Sequence, residues 1–229
     1  MKTYYGTGVG NSSVSGKLVH YSRTNGVPEA RSIADTESEK SRFRLAKFIA
    51  VGELKCLYEK TLAELGESAA MIFYIHQIML EDDTYTDMVC SIIDGRKINA
   101  ERAVYDTCST LAGVFEGLDD GYMRERRADV WDISERVIAI LKSDSRSYPV
   151  LSEPSIILSD DLSPSELLLP EKELITGIVL TKGSTNSHTA ILALKMNIPM
   201  LVNVDLTGDT LANGTAVTID TDKGVLIIE

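Results

Sequence analysis

The sequence is short of several things that would fix its class at once. Among its 229 residues there are only three cysteines, Cys56, Cys90 and Cys108, an odd number, widely spaced, each in an apolar and helical-looking stretch. That pattern excludes a disulfide frame or a zinc site and suits buried free thiols in a reducing compartment. No apolar run approaches the roughly 20 residues of a membrane-crossing helix, and the opening Met1-Lys2-Thr3-Tyr4-Tyr5 has no signal-peptide core, so a cytoplasmic location is expected. There is no repeat and no low-complexity tract. Basic residues are in deficit: the formal net charge is −11, which disfavours nucleic acid and anionic membranes and favours a partner with a basic face. With 44% hydrophobic and 25% charged residues the chain is ordinary globular protein, large enough for two modest lobes.

What is present changes character along the chain. Residues 1 to about 20 carry short apolar pieces among Gly, Ser and Val, and read as β structure. From about Asp35 to Ser143 the spacing is helical. Phe43, Ala46, Ala50, Leu54, Leu57, Leu62 and Leu65 form one amphipathic stripe, and Met71, Ile72, Ile75, Ile78 and Met79 resume it beyond Gly66. Further helices are expected around Met88–Ile93, from a cap near Asn99, and from Asp119-Asp120 onwards. The short, Gly-containing connections predict antiparallel neighbours in a bundle. After Tyr148-Pro149 short strands are expected at Ile156–Leu158, Ile175–Leu180, Met200–Val202, Ala216–Ile219 and Val225–Ile228, with one helix from His188 to about Met196. The reading is therefore an α/β domain, residues 1–20 and 148–229, interrupted by an all-α helical bundle, residues 21–147.

The segment Thr181 to Ala193 carries the most chemistry. A strand-like run leads through Gly183, Ser184, Thr185, Asn186 and Ser187 into an apolar helix opening at His188. A helix start leaves amide groups unpaired and bears positive partial charge, so it suits an anion, phosphate above all. Imidazole beside such a place can accept a phosphoryl group and release it. On spacing alone, Asn186 or Ser187 acting as a simple cap beside an incidental His188 is the plainer reading. The early Gly6-x-Gly8-x-Gly10 is expected to be a turn leading into the first β segments and not a dinucleotide loop, because too little chain precedes it.

Gly183–Ala193 resembles the phosphohistidine signature of phosphoenolpyruvate-utilising enzymes, written G-G-x-T-S-H-x-A-I-x-A-R. Chain order and the helical insertion make the sequence similar to the N-terminal domain of Enzyme I, the phosphoenolpyruvate-protein phosphotransferase family of sugar transport. Ile72-Phe73-x-x-His76-x-x-Met79-Leu80-Glu81-Asp82, Leu118-Asp119-Asp120, Glu125-Arg126-x-Ala128-Asp129-Val130 and Asp161-Leu162-Ser163-Pro164-Ser165-Glu166 follow in the family's order. The resemblance implies an α/β phosphohistidine (swivelling) domain with an inserted helical-bundle subdomain. It implies that His188 accepts phosphate from phosphoenolpyruvate and passes it to the carrier protein HPr, with Gly183, Ser184, Thr185, Asn186 and Ser187 steadying the phosphoryl group. It implies an HPr-docking face at Glu67, His76, Met79, Leu80, Asp82, Asp83, Leu118 and Arg126. The family's phosphoenolpyruvate and Mg²⁺ site lies in a separate C-terminal domain. No cofactor is expected in this chain, and that C-terminal domain is the second expected partner.

Among the departures from the family pattern, Asn186 stands in place of Thr, Leu167 in place of Thr and Leu194 in place of Arg. The two leucines remove polar groups from the expected phosphohistidine surroundings. They keep open a carrier-binding regulatory module that takes no phosphate. The swivelling domain of a pyruvate phosphate dikinase is the other alternative, and it would lack the helical insertion.

Overall fold

The computed structural model describes residues 2–22, 26–116, 121–143, 151–168, 172–206 and 208–228. The chain divides into two units, Met1–Arg23 with Ser147–Glu229, and Thr24–Arg146 between them. The architecture is an α/β domain with a helical-bundle subdomain inserted in it.

The first unit is built on β1 (Lys2–Tyr5), β2 (Thr7–Val9), β3 (Ser13–His20), β4 (Ser155–Ser159), β5 (Ile175–Leu180), β6 (Met200–Val202), β7 (Ala216–Asp220) and β8 (Val225–Ile228), with the helices α6 (Pro164–Leu167) and α7 (His188–Lys195). The strands form one sheet in the order β1-β8-β7-β3-β4-β5-β6-β2. β3, β4, β5 and β6 run parallel, and the remaining pairings are antiparallel. The two ends of this order, β1 and β2, are separated in sequence by Gly6 alone. Residues two apart cannot be more than about 7.6 Å apart at Cα, so the sheet must curl until its edges meet. Leu18, Ile156, Leu158, Val179, Leu201, Val217, Ile219 and Leu226 fill its buried face.

Curling explains two of the early glycines. A Cβ on Gly6 would stand 2.8 Å from the Val202 carbonyl oxygen, and one on Gly8 would overlap the carbonyl oxygen of Thr221. The expectation of a turn at Gly6-x-Gly8-x-Gly10 is thus corrected. Gly8 lies within β2, paired with Leu201, and only Gly10 takes a left-handed turn conformation, at φ 81°. A single-sequence reading misses this because the close approach comes from residues some 200 positions away.

The second unit contains α1 (Thr36–Leu65), α2 (Glu67–Glu81), α3 (Asp83–Arg96), α4 (Ala100–Glu116) and α5 (Gly121–Lys142). Asp35 caps α1 through the Ser38 amide, Gly66 at φ 85° ends it, and Asp82 caps α3 through the Thr84 amide. Phe43, Ala46, Ala50 and Leu54 face inward from α1, as their spacing predicts. A part-buried polar clamp joins the two ends of this unit. Arg42 donates to Glu39 (2.6 Å), to Glu101 (2.8 Å) and to the Leu141 carbonyl (2.9 Å), while Arg31 and Asn99 also donate to Glu101. Burial works to raise the Glu101 carboxyl, but its bonds to Arg42, its own amide and Asn99 outweigh that and hold it below the usual glutamate range.

All three thiols are free, yet only Cys108 is buried; Cys56 is exposed and Cys90 half-buried, which corrects the expectation of three buried cysteines. An amphipathic helix has a wet side even in an apolar stretch, and Cys56 lies on it. Burial pushes the Cys108 thiol up to about 12. Among the described residues no helix is long and apolar enough to cross a membrane.

Candidate functional site

The loop ahead of α7 lies at the carboxyl ends of β4 and β5, the side of a parallel sheet where ligands bind. Thr181 donates its amide to the Ser159 carbonyl (3.0 Å), and Val204 donates to the Leu180 carbonyl (3.0 Å), which anchors the start of the loop. Gly183 then turns the chain at φ 115°, a conformation that L side chains rarely adopt. Ser184 organises the approach to the helix: its Oγ accepts the Asn186 amide (3.1 Å) and its carbonyl accepts the Ser187 amide (3.2 Å).

Ser187 is the N-cap of α7, its Oγ accepting the Ala190 amide at 3.2 Å. The capping expectation is therefore correct. It does not compete with anion binding, because a hydroxyl that accepts one bond still has its own hydrogen to donate. His188 is the first helical residue and is half-buried; Thr185 and Asn186 are exposed. The first turn of α7 carries no acidic side chain, so nothing there opposes the helix's positive end.

Behind the helix the support is dry. Thr189 Oγ1 donates to the Leu162 carbonyl at 2.6 Å. The next turn of chain is a capping box, in which Ser163 donates its amide to Glu166 (2.6 Å), whose other carboxylate oxygen accepts the Tyr21 hydroxyl (2.6 Å). Leu167 completes this layer with no exposed surface, so at that position the chain has buried apolar packing and no hydroxyl. Leu194 instead lies on the wet side of α7, 53% exposed. Among the described residues no three His, Cys, Asp or Glu side chains converge as metal ligands would.

On the helical unit the expected docking residues separate. Glu67, Asp82 and Asp83 are exposed, and Met79 and Arg126 are half-buried. Leu118 lies outside the described residues. His76 and Leu80 are fully buried, which corrects the expectation that they face a partner. Helix phase is the reason: Ala69, Ile72, Phe73, His76 and Leu80 share the inward side of α2. The outward side presents Met71, Tyr74 and Ile78, 37%, 48% and 51% exposed, beside the exposed Glu67 and Glu81. The expected apolar stripe through Met71 and Ile78 is corrected accordingly: the i, i+3, i+7 spacing of Met71, Tyr74 and Ile78 marks a second, outward apolar face.

Known proteins resemble both units. Residues 5–126 match the family model of the PEP-utilising enzyme, N-terminal, and residues 151–224 that of the PEP-utilising enzyme, mobile domain. A phosphoenolpyruvate-protein phosphotransferase of Bacillus sp. (strain S) is 32% identical over 99% of the chain, and that of Bacillus subtilis (strain 168) is 35% identical over 88%. The matches span only 39% and 35% of those relatives' own lengths. A solution NMR structure of Enzyme I (nEIt) superposes with a TM-score of 0.72 at 28% identity, over 99% of this chain and 92% of that one. A structure of the N-terminal domain of Enzyme 1 - Nitrogen shares the fold with a TM-score of 0.65 at 22% identity, over 98% and 93%. With family models matching across both units and this architecture, the chain belongs to the phosphoenolpyruvate-utilising enzymes and has the fold of the Enzyme I N-terminal domain.

Proposed function

We propose that His188 is a covalent way-station for a phosphoryl group moving from phosphoenolpyruvate to the carrier protein HPr. The observation that carries this is the placement of His188 as first residue of a capped helix, behind a loop of hydroxyl and amide donors and with no acidic side chain in the first turn. In the first transfer a ring nitrogen of neutral His188 attacks phosphorus, the phosphorus–oxygen bond of phosphoenolpyruvate breaks, and pyruvate leaves as its enolate, which then takes up a proton. In the second, a histidine of HPr attacks and the nitrogen–phosphorus bond to His188 breaks. Gly183, Ser184, Thr185, Asn186 and Ser187 donate to the phosphoryl oxygens while the group rests on the ring.

The helical unit is the docking surface for HPr on this reading. Met71, Tyr74, Ile78 and Met79 supply apolar contact, Glu67, Glu81, Asp82 and Asp83 attract a basic rim, and Arg126 is assigned to the same surface from the family match. Leu118 is proposed for the same surface from the family match alone. The phosphoenolpyruvate site and its Mg²⁺ belong to the remainder of a parent enzyme, in keeping with the share of the relatives' length that this chain spans. The second partner is that phosphoenolpyruvate-binding domain. The same reading places the protein in the cytoplasm, in a sugar phosphotransferase system. The long helical insertion argues against a dikinase swivelling domain.

The test is to incubate the chain with phosphorylated HPr and assay for acid-labile, alkali-stable phosphate. Label on the wild-type chain and none on His188→Ala is the expected result. Binding of HPr without label would sink the transfer reading and leave a carrier-binding module.

A further inference from the structure

The inward side of α2 is not uniformly apolar. His76 has no exposed surface, yet its Nε2 lies 3.3 Å from Asp129 Oδ1 and its Nδ1 lies 3.6 Å from Asp132 Oδ2, both carboxylates being buried on α5. Phe73, one turn earlier on α2, meets the imidazole edge-on with ring centroids 6.3 Å apart. Neither ring nitrogen has a conventional hydrogen bond, and each faces one buried carboxylate oxygen. One turn on from Asp132, buried Arg136 reaches the exposed Glu53 of α1 at 2.5 Å, so α5 carries a second charged contact to a neighbouring helix.

Such a cluster is a poor means of gaining stability. Burying carboxylates and an imidazole costs solvation, and apolar side chains of similar volume commonly match or exceed it. What a directional cluster does provide is a fixed rotation. A leucine at position 76 could pack with α2 turned about its axis, whereas an imidazole facing one carboxylate through each nitrogen accepts a narrow range. Rotation matters here because successive residues lie about 100° apart around a helix. Turning α2 by a fraction of that would move Met71, Tyr74 and Ile78 off the outward side.

We propose that His76 is a positioning residue: held between Asp129 and Asp132 of α5, it latches α2 to that helix and so sets the face that HPr meets. The inference rests on the docking reading above and gives the interior of α2 a part in recognition without contact. Loss of the latch weakens docking while leaving chemistry at His188 intact.

The experiment compares His76→Leu, His76→Gln and the double variant Asp129→Asn/Asp132→Asn with wild type in the full chain. Val104→Ala, a buried change on α4, serves as a reference for general destabilisation. HPr affinity, the melting temperature, and the label reached on His188 at saturating phosphorylated HPr are measured for each. The expected result for His76→Leu is an unreduced melting temperature with affinity lower by about tenfold and full labelling at saturation. His76→Gln covers the case in which the leucine variant fails to fold, and is expected to lose affinity beyond what Val104→Ala loses at equal melting temperature.

A folded His76→Leu chain binding HPr like wild type would overturn the latch while leaving the docking reading intact. An affinity loss that merely tracks melting temperature across all variants, Val104→Ala included, would also overturn it. Absence of HPr binding by the wild-type chain would remove the docking reading and the latch with it.

Discussion

The two units hold their candidate surfaces by opposite means. In the β-rich unit the site is contiguous in sequence: Gly183 to His188 turn, cap and present the imidazole within six residues. In the helical unit the surface is a selection, every third or fourth residue of α2, and which ones are selected depends on what α1 and α5 pack against. A contiguous site tolerates sequence drift elsewhere provided the loop's ends stay anchored. A selected face depends on the rotation of a whole helix, so its determinants lie inside the bundle. The two units should therefore fail differently when damaged.

The largest separation is expected from a change that touches only the sheet. Gly8→Ala places a methyl group against the Thr221 carbonyl, and backbone on both sides leaves little room to yield. We expect the β-rich unit to lose about 3 kcal/mol or more. Calorimetry should show its unfolding moved to lower temperature, with HPr still bound by the helical unit at temperatures where labelling of His188 has gone. Equal loss of both properties would mean that the units do not fail separately.

The converse change is Glu101→Gln in the polar clamp of the helical unit. It removes one of the two carboxylates facing the part-exposed Arg42, Glu39 remaining, and is expected to cost about 2 kcal/mol for the weakened charge-assisted bonds. The pH dependence has a definite sign. The Glu101 and Glu39 carboxyls are both held below their ordinary value of 4.5 in the folded chain, in each case because bonds from Arg42 and backbone amides outweigh burial. Their stabilisation is present above pH 4.5 and is lost as the pH falls through the lower folded values. Acid titration monitored by circular dichroism should show this fall in wild type and a shallower one in Glu101→Gln.

How far each surface can be read from sequence obeys the same division. The strands from Ile156 to Ile228 announce themselves by short β-branched runs between turn residues, and α1 by its stripe from Phe43 to Leu54. The His188 loop is legible because glycine, hydroxyl and amide residues before an apolar helix have a local meaning. His76 and Leu80 are misplaced by sequence because a family motif preserves position and residue type but does not say which side of the helix is wet. The roles of Gly6 and Gly8 cannot be read locally at all, since they depend on Val202, Val204 and Thr221, brought close only when the sheet curls.

A smaller effect would sharpen the view of the helical face. Ile78→Asp places a charge on an exposed side chain, so the fold should keep its stability within about 0.5 kcal/mol. HPr affinity should fall about tenfold, because the apolar centre of a docking patch contributes more than its rim. Titration calorimetry at two salt concentrations checks both parts. Raising the salt should weaken the wild-type complex through the rim of Glu67, Glu81, Asp82 and Asp83, and the variant should keep that salt dependence. Unchanged affinity in Ile78→Asp would place the docking surface on some other part of the chain.

The smallest effect separates capping from chemistry at the other surface. Ser187→Ala removes the bond that Ala190 donates to the cap, and should cost about 1 kcal/mol of stability in the β-rich unit. If the hydroxyl only caps, the rate of His188 labelling should hold once temperature is adjusted for the lost stability. If it also donates to the phosphoryl group, labelling should slow by about tenfold or more at matched stability, since a donor aimed at developing charge acts chiefly in the transition state. Ser187→Asn distinguishes these further. Asparagine caps a helix about as well as serine does, so restored stability without restored rate would assign the hydroxyl hydrogen to the transferring group.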